Sequence, residues 1–259
     1  MKFKPAGNRP ADFLKENPVT GEKGPTLPFE AIIMAGGKGE RLKPLTDAIP
    51  KPLLPVGGKP IVRYSVESLL KAGLKDITFI VNYFGDKIQA EFGDGKKEKA
   101  SFDYIFENEP LGTIGGLSLK NNFKFQDILV MNGDLLTTIH FDKFFMFYLE
   151  EDADIAVAVI PYRLNLPFGI FEIGEKNEIL STREKPAFTY YINTGIYLMK
   201  REVIHMIPEN QTFDAIDLVE LARAQGLKVS AFPLLDYWID IGQAEDYQKA
   251  QKDIQFLNF

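Results

Sequence analysis

The chain has 259 residues, of which 45% are hydrophobic and 25% charged, and its formal net charge is −6. This acidic balance argues against the basic face that nucleic-acid binding needs. The absence of cysteine excludes disulfides and cysteine-ligated zinc. The sequence contains no run of about 18 uncharged apolar residues, so it predicts no membrane span. The N-terminus also lacks the apolar segment of a signal peptide. A cytoplasmic location is therefore expected.

The first 29 residues differ in composition from the rest of the chain. Gly, Asn, Lys and Glu surround five prolines: Pro5, Pro10, Pro18, Pro25 and Pro28. Such a segment favours extended backbone over regular structure. We predict an N-terminal arm or linker over residues 1–29 and one folded domain over residues 30–259.

From Phe29 onward, predicted strands and helices alternate. Buried-type strands are predicted at "FEAIIMA", "DITFIVNY", "FDYIFE", "DILVMNGD" and "DIAVAVI", and helices at "PIVRYSVESLLKAG" and "DKFFMFYLEE". Strands separated by helices are typical of a parallel sheet with helices on both faces. The predicted fold class is α/β, with a Rossmann-like, doubly wound and mostly parallel sheet.

The pattern changes after Pro167. The short strands "FGIFEIG", "NEILSTREK" and "YYINTGIYLM" follow one another with Gly or Pro between them, which predicts a small antiparallel insertion. The helix "FDAIDLVELARAQG", the strands "KVSAFPL" and "YWIDIG" and a closing helix then complete the domain.

A glycine-rich turn and a cluster of cations follow the first strand. The stretch from Lys38 to Arg63 holds six basic and two acidic residues, a local charge of +4 in an acidic chain. Glycines let backbone N–H groups approach an anion closely, and the prolines on either side of Lys51 stiffen its backbone. The pattern favours an anionic ligand in one cleft, although tight turns and solvated lysines also produce it.

Two aspartates are further candidates. Asp134 follows a buried strand, where a carboxylate can meet a hard cation or cap a turn. Asp240 lies in the apolar strand "WIDIG", where it needs a cation, a metal or exposure to solvent at a sheet edge. His140 and His205 match no metal-binding spacing.

The segment "MAGGKGERLKPLT…PKPLLPVGGKPI" resembles the signature of sugar-1-phosphate nucleotidylyltransferases, most closely their mannose-1-phosphate guanylyltransferase-like branch. The resemblance continues through "ENEPLGTIGGL", "MNGDLL", "REKP", "NTGIYL" and "YWIDIGQAEDY". It implies that residues 30–259 form the catalytic domain and that the insertion contributes to the sugar site. It implies Mg²⁺ as cofactor and as substrates an NTP and a sugar 1-phosphate; the sequence leaves self-association open.

The resemblance also implies roles for individual residues. Arg41, Lys51 and Lys185 would bind phosphates, and Asp134 and Asp240 would hold Mg²⁺. The nucleotide would contact Ala35, Gly36, Gly37, Gly39, Asn82, Gly112 and Thr113. The sugar phosphate would contact Gly169, Glu184, Lys185, Asn193 and Thr194. Two alternatives stay open: a regulatory protein that binds a nucleotide sugar without turnover, and a dTTP- or UTP-specific glucose-1-phosphate nucleotidylyltransferase.

Overall fold

The computed structural model describes residues 29–259. The predicted arm therefore lies outside the described residues, apart from Phe29, which begins the first strand. In chain order the strands are β1 (Phe29–Met34), β2 (Pro55–Val56), β3 (Lys59–Pro60), β4 (Asp76–Val81), β5 (Ser101–Phe106), β6 (Asp127–Asn132), β7 (Leu135–Thr137), β8 (Ile155–Asn165), β9 (Ile170–Ile173), β10 (Ile179–Arg183), β11 (Ala187–Lys200), β12 (Val229–Pro233) and β13 (Trp238–Asp240).

Four of the six helices within residues 29–259 were predicted, and the two shortest are additions. In chain order the six are α1 (Ile61–Lys71), α2 (Gly85–Phe92), α3 (Phe141–Glu150), α4 (Arg201–Ile204), α5 (Ala215–Ala224) and α6 (Ala244–Asp253). The sequence interpretation missed α2 and α4, whose eight and four residues are too few to show clear helical periodicity. None of the helices between residues 29 and 259 combines the length and apolar character needed to span a bilayer.

The main sheet has seven strands in the order β12-β8-β11-β6-β1-β4-β5. β1 pairs in parallel with β4 and β6, β4 with β5, and β8 with β12, whereas β11 runs antiparallel to both of its neighbours. The mostly parallel sheet is therefore confirmed. "YYINTGIYLM" is not a short strand of an insertion, because it belongs to the 14-residue β11 of the main sheet. Within the predicted insertion, the separate antiparallel sheet consists of β9 and β10; β2–β3 and β7–β13 form two further antiparallel pairs elsewhere.

Apolar residues on both faces of the sheet form two cores. Along β1, Ala31 and Ile33 pack into the core shared with α1 and α3, and Ile32 packs into the core shared with α4 and α5. This alternation follows from the two-residue period of a strand, and it explains why parallel strands buried on both faces are continuously apolar. A third cluster joins α1, α6, β7 and β13 and brings the C-terminal segment beside the sheet.

Candidate active site

Four polar or small residues follow the carboxyl ends of the parallel strands. Ala35 comes after β1, Asn82 after β4, Glu107 after β5 and Gly133 after β6. Backbone hydrogen bonds continue past the strand ends, from Ala35 N to Ile80 O at 2.7 Å and from Glu107 N to Val81 O at 2.8 Å. Open α/β sheets bind ligands at this edge. The two hydrogen bonds fix the backbone of Ala35 and Glu107 there.

The glycine-rich loop turns sharply at Gly39. Gly39 has φ +63°, and a Cβ there would lie 2.9 Å from Thr46 Cγ2 and 3.0 Å from the Lys51 Cβ. The Thr46 hydroxyl donates to the Gly39 carbonyl at 2.8 Å, which fixes the turn. A Cβ at Gly37 would instead meet open space. The loop is thus built by Gly39 and leaves an open backbone at Gly37 that can approach a ligand.

Arg41 follows the loop in a single 3-10 turn, Glu40–Leu42. Leu42 is buried in the third core, which anchors the turn, while Arg41 is exposed. Its guanidinium has no ion-pair partner among residues 29–259. Arg41 is therefore anchored beside open backbone, without an ion-pair partner among the described residues. Its guanidinium can donate two parallel hydrogen bonds to phosphate oxygens.

Lys51 joins the two predicted metal-binding aspartates. Its ammonium nitrogen lies 2.5 Å from Asp134 Oδ2 and 3.4 Å from Asp240 Oδ1. β13 pairs antiparallel with β7, so Asp240 is in register with Leu135, and the Ile241 amide donates to the Asp134 carbonyl. The structure therefore brings Lys51, Asp134 and Asp240 together, and the lysine predicted to face phosphates contacts both carboxylates.

The electrostatics of this cluster fit a bound cation. Burial, and then repulsion from Asp134, raise the pKa of Asp240, while Lys51 lowers it. Asp134 Oδ1 is buried without a hydrogen-bond partner among the described residues. No third carboxylate, histidine or cysteine completes a metal-binding group within residues 29–259. Two carboxylates suit Mg²⁺, which usually keeps several waters and takes few protein ligands.

Glu107 is a buried carboxylate that the sequence interpretation did not select. A Cβ at Gly36 would lie 2.6 Å from its Oε2, and a Cβ at Gly116 would clash with its Oε1. The carboxylate thus occupies the space between the glycine-rich loop and the 3-10 turn Gly115–Leu119. Burial raises its pKa to about 7, and Oε1 has no hydrogen-bond partner among the described residues.

Asn82, a predicted nucleotide contact, supports this carboxylate. Its side-chain amide donates to the Glu107 carbonyl at 2.8 Å, and its Cβ lies beside Gly36. The described contacts of Asn82 therefore position the Glu107 backbone.

The predicted base-binding pair Gly112–Thr113 is tied to the N-terminus of α5. Gly112 has φ +82°, and a Cβ there would meet the Phe213 carbonyl at 2.7 Å. The Thr113 amide donates to Asp214 Oδ1, and the Ala215 amide donates to Thr113 Oγ1, each at 2.9 Å. The threonine hydroxyl thus satisfies one of the free N–H groups at the start of the helix.

The predicted sugar-site residues fall into two separate groups. Asn193 and Thr194 lie on β11 near the cluster, because the Trp238 indole donates to the Thr194 carbonyl at 3.0 Å. Gly169, Glu184 and Lys185 lie together at the far end of the β8–β11 strand pair, where Glu184 packs against Gly169. Ala187 lies six positions before Asn193, a distance of roughly 20 Å along the strand.

The side chains of the near group already have partners. Thr194 is buried and its hydroxyl donates to the Ala158 carbonyl at 2.7 Å. The Asn193 amide donates to the Tyr197 hydroxyl at 2.5 Å, and its Oδ1 accepts from the Gly195 amide. The Thr194 side chain therefore packs inside the sheet. In the far group, the Glu184 and Lys185 side chains are 76% and 68% exposed.

The profile of the nucleotidyl transferase family matches residues 30–256. The chain belongs to this family. It is 29% identical to mannose-1-phosphate guanylyltransferase of Mycobacterium tuberculosis over 88% of this chain and 65% of that protein. It is 32% identical to UTP–glucose-1-phosphate uridylyltransferase of Synechocystis over 87% of this chain and 63% of that protein. The chain thus spans a little less than two thirds of the length of these curated relatives.

A solved structure matches more completely. The crystal structure of HddC from Yersinia pseudotuberculosis complexed with GMP-PN has a TM-score of 0.64 and 28% identity to this chain. The match covers 87% of this chain and 99% of that chain. Family membership accounts for the order of motifs along residues 30–256, but the relatives differ in the base that they are named for.

Proposed function

We propose that this chain transfers a nucleoside monophosphate from an NTP, with GTP preferred, to a sugar 1-phosphate, and releases pyrophosphate. The acceptor would be mannose 1-phosphate or a related hexose, heptose or amino sugar phosphate. The observation that carries the reaction class is the Lys51–Asp134–Asp240 cluster beside the glycine-rich loop. The relatives named as sugar-1-phosphate guanylyl- and uridylyltransferases support it.

The proposed reaction mainly requires the protein to position two anions, the NTP and the sugar 1-phosphate. A phosphate oxygen of the sugar 1-phosphate forms a bond to the α-phosphorus, and the bond from that phosphorus to the β-phosphate oxygen breaks. The attacking oxygen is already anionic near neutral pH, so the reaction needs no strong general base. Arg41 would stabilise the charge that develops on the leaving pyrophosphate, and the open backbone at Gly37 would contact the triphosphate.

Mg²⁺ is a proposed cofactor, and Asp134 and Asp240 would hold it. When bound, it would supply positive charge at the α-phosphate. The buried, unpartnered Asp134 Oδ1 supports this assignment. Lys51 would keep the two carboxylates at the edge of the sheet and add a positive charge near the reacting phosphates.

The preference for GTP rests on Glu107. Guanine presents two adjacent donors, N1–H and the N2 amino group, and an ionised carboxylate accepts both. Uracil and thymine present one donor between two carbonyl acceptors, which a carboxylate repels. The buried Oε1 of Glu107, without a partner among the described residues, would gain the donor it lacks. A bidentate contact of this kind discriminates between bases by roughly tenfold to a hundredfold.

The test is pyrophosphate release with Mg²⁺, using GTP, dTTP, UTP, CTP and ATP against a panel of sugar 1-phosphates. We expect turnover with GTP, and we expect Glu107→Gln to lower kcat/KM for GTP by at least tenfold relative to UTP. Glu109→Gln is the matched control, because Glu109 is an exposed carboxylate two residues away. A wild-type preference for UTP or dTTP would overturn the base assignment while leaving the reaction class intact.

Two other functions have specific support. The uridylyltransferase relative favours UTP and glucose 1-phosphate, which the same panel tests. The Glu184 and Lys185 side chains are 76% and 68% exposed and pair with neither aspartate among the described residues, which favours a protein that binds a nucleotide sugar without turnover. Tight binding of a nucleotide sugar with no pyrophosphate release from any pair would establish the second.

A further inference from the structure

The loop of residues 111–116 packs directly on the segment that leads into α5. The Phe213 amide donates to the Leu111 carbonyl at 2.9 Å. In return, the Ile114 and Gly115 amides donate to the Phe213 carbonyl at 3.2 and 3.1 Å. Both ends of the loop are therefore fixed by backbone hydrogen bonds to one residue of the other segment.

Gly112 and Thr113 form the exposed tip of the 111–116 loop, whose other four residues are buried. A Cβ at Gly112 would lie 2.7 Å from the Phe213 carbonyl oxygen and 3.0 Å from Asp214 Oδ1. One side of the tip is thus covered by the segment before α5. The other side offers peptide groups that a flat ring can approach, because residue 112 carries no side chain.

Two hydrogen bonds hold the tip among the described residues, and both run to the start of α5. The Thr113 amide donates to Asp214 Oδ1, and the Ala215 amide donates to Thr113 Oγ1, each at 2.9 Å. Asp214 is also the N-cap of α5. Its carboxylate accepts from the Asp217 amide, and the Asp217 carboxylate accepts from the Asp214 amide. One carboxylate therefore binds both the helix and the tip of the loop.

We propose that Asp214 is a positioning residue for the nucleobase, because it fixes the backbone of Gly112 and Thr113. This inference rests on the proposed function, in which the pair belongs to the nucleotide site. Peptide groups recognise a base best when their directions are set before the base arrives, since ordering a loop during binding costs free energy. Asp214 sets these directions through the Thr113 amide and does not itself need to touch the nucleotide.

Capping of α5 alone would not require this arrangement. A serine or an asparagine caps a helix about as well as an aspartate does. Here Oδ1 of Asp214 accepts from an amide that lies 101 residues away in sequence. The Thr113 hydroxyl accepts from the helix in return, so the contact is reciprocal. Loss of the Asp214 carboxylate would remove one of the two hydrogen bonds on the tip.

Steady-state kinetics of Asp214→Ser tests the inference. Serine keeps the helix cap, but its oxygen is one bond closer to the backbone and should not reach the Thr113 amide. We expect KM for the preferred NTP to rise about fivefold, the effect of one hydrogen bond. The kcat, KM for the sugar 1-phosphate and the thermal unfolding temperature should stay unchanged. Asp214→Asn keeps a side-chain oxygen in place and should restore KM for the NTP.

Asp217→Ala is the matched control. It removes the other carboxylate of the capping box, which contacts no residue of the 111–116 loop among the described residues. We expect it to lower thermal stability and to leave KM for the NTP unchanged. Inorganic tripolyphosphate is a second probe, because it lacks the base and the ribose. Its inhibition constant against the NTP should be the same in the wild type and in Asp214→Ser.

Direct binding distinguishes this inference from the proposed function. Titration calorimetry with the NTP and Mg²⁺, without sugar 1-phosphate, should show the same loss of affinity in Asp214→Ser. That result would support the role of Asp214 even if the wild type released no pyrophosphate, which would overturn the proposed function alone. Equal NTP affinity in the wild type and Asp214→Ser, or an equal loss for tripolyphosphate, would overturn the positioning role. A wild type that binds no NTP would overturn both.

Discussion

The ammonium of Lys51 lies 2.5 Å from a carboxylate oxygen of Asp134, although 83 residues separate the two in sequence. The same ammonium also contacts Asp240, so one buried cation holds two carboxylates that would otherwise repel each other. A divalent ion at this position would do the same. Lysine and metal are therefore expected to contribute to stability in overlapping ways.

Lys51→Met should reveal this overlap. Without divalent ions we expect a loss of about 1–2 kcal/mol in the free energy of unfolding, because the half-buried Asp134 and the partly exposed Asp240 lose their partner. Added Mg²⁺ should stabilise this variant more than it stabilises the wild type, as measured by thermal unfolding with and without a chelator. Lys59→Met is the control, since Lys59 pairs with Glu67 near the surface. Equal stabilisation of all three proteins by Mg²⁺ would contradict the expectation.

Removing either aspartate should affect turnover rather than folding. Asp134→Asn and Asp240→Asn keep the side-chain shape but weaken cation binding, and we expect kcat with Mg²⁺ to fall by about 10²–10³. Asp142→Asn serves as control because its side chain is 70% exposed at the start of α3. Near-normal rates in both site variants would show that the cluster is not the reaction centre.

Glu107 should make stability depend on pH. Burial raises its pKa in the folded chain from 4.5 to about 7. Between these values the unfolded chain has released the proton and the folded chain still holds it, so stability falls as pH rises from about 4.5 to about 7. The loss is of the order of 3 kcal/mol. Urea unfolding at several pH values should show this slope in the wild type and in Glu109→Gln but not in Glu107→Gln.

Thr113→Val tests whether the threonine hydroxyl acts on α5. Loss of the hydrogen bond from the Ala215 amide should cost about 1 kcal/mol in the free energy of unfolding without nucleotide. Thr113→Ser keeps the oxygen and should keep most of the stability. If Thr113→Val changes only KM for the NTP and leaves unfolding unchanged, the hydroxyl serves the base instead.

Local pattern was sufficient to predict the parallel sheet. Strands buried on both faces, such as β1 and β4, leave an unbroken apolar run in the sequence, and Gly73 and Gly226 mark the ends of α1 and α5 at positive φ. The long β11 was not predictable in the same way. Its outer half, residues 187–192, is exposed and pairs only with β8, so its apolar residues show no burial pattern.

The residues of the candidate site were predictable only where they lie within a recognisable sequence motif. Asp134 and Asp240 stand out as carboxylates in apolar surroundings, and their approach to Lys51 depends on β13 pairing with β7, which no local pattern encodes. Glu107 escaped selection because a glutamate after a strand is ordinary. Its position between Gly36 and Gly116 depends on two loops that are distant in sequence. The missed signal was its place directly after "FDYIF", at the carboxyl edge of the sheet.

The cluster draws on positions that lie 83 and 189 residues from Lys51. Contacts over such separations form slowly, because long loops must close before any favourable interaction is gained. The parallel strands from β1 to β6 can assemble while Asp240 is still unplaced. Recovery of turnover after dilution from denaturant should therefore lag behind recovery of the circular dichroism signal, and a nascent chain would gain the complete site only after residue 240 has been synthesised.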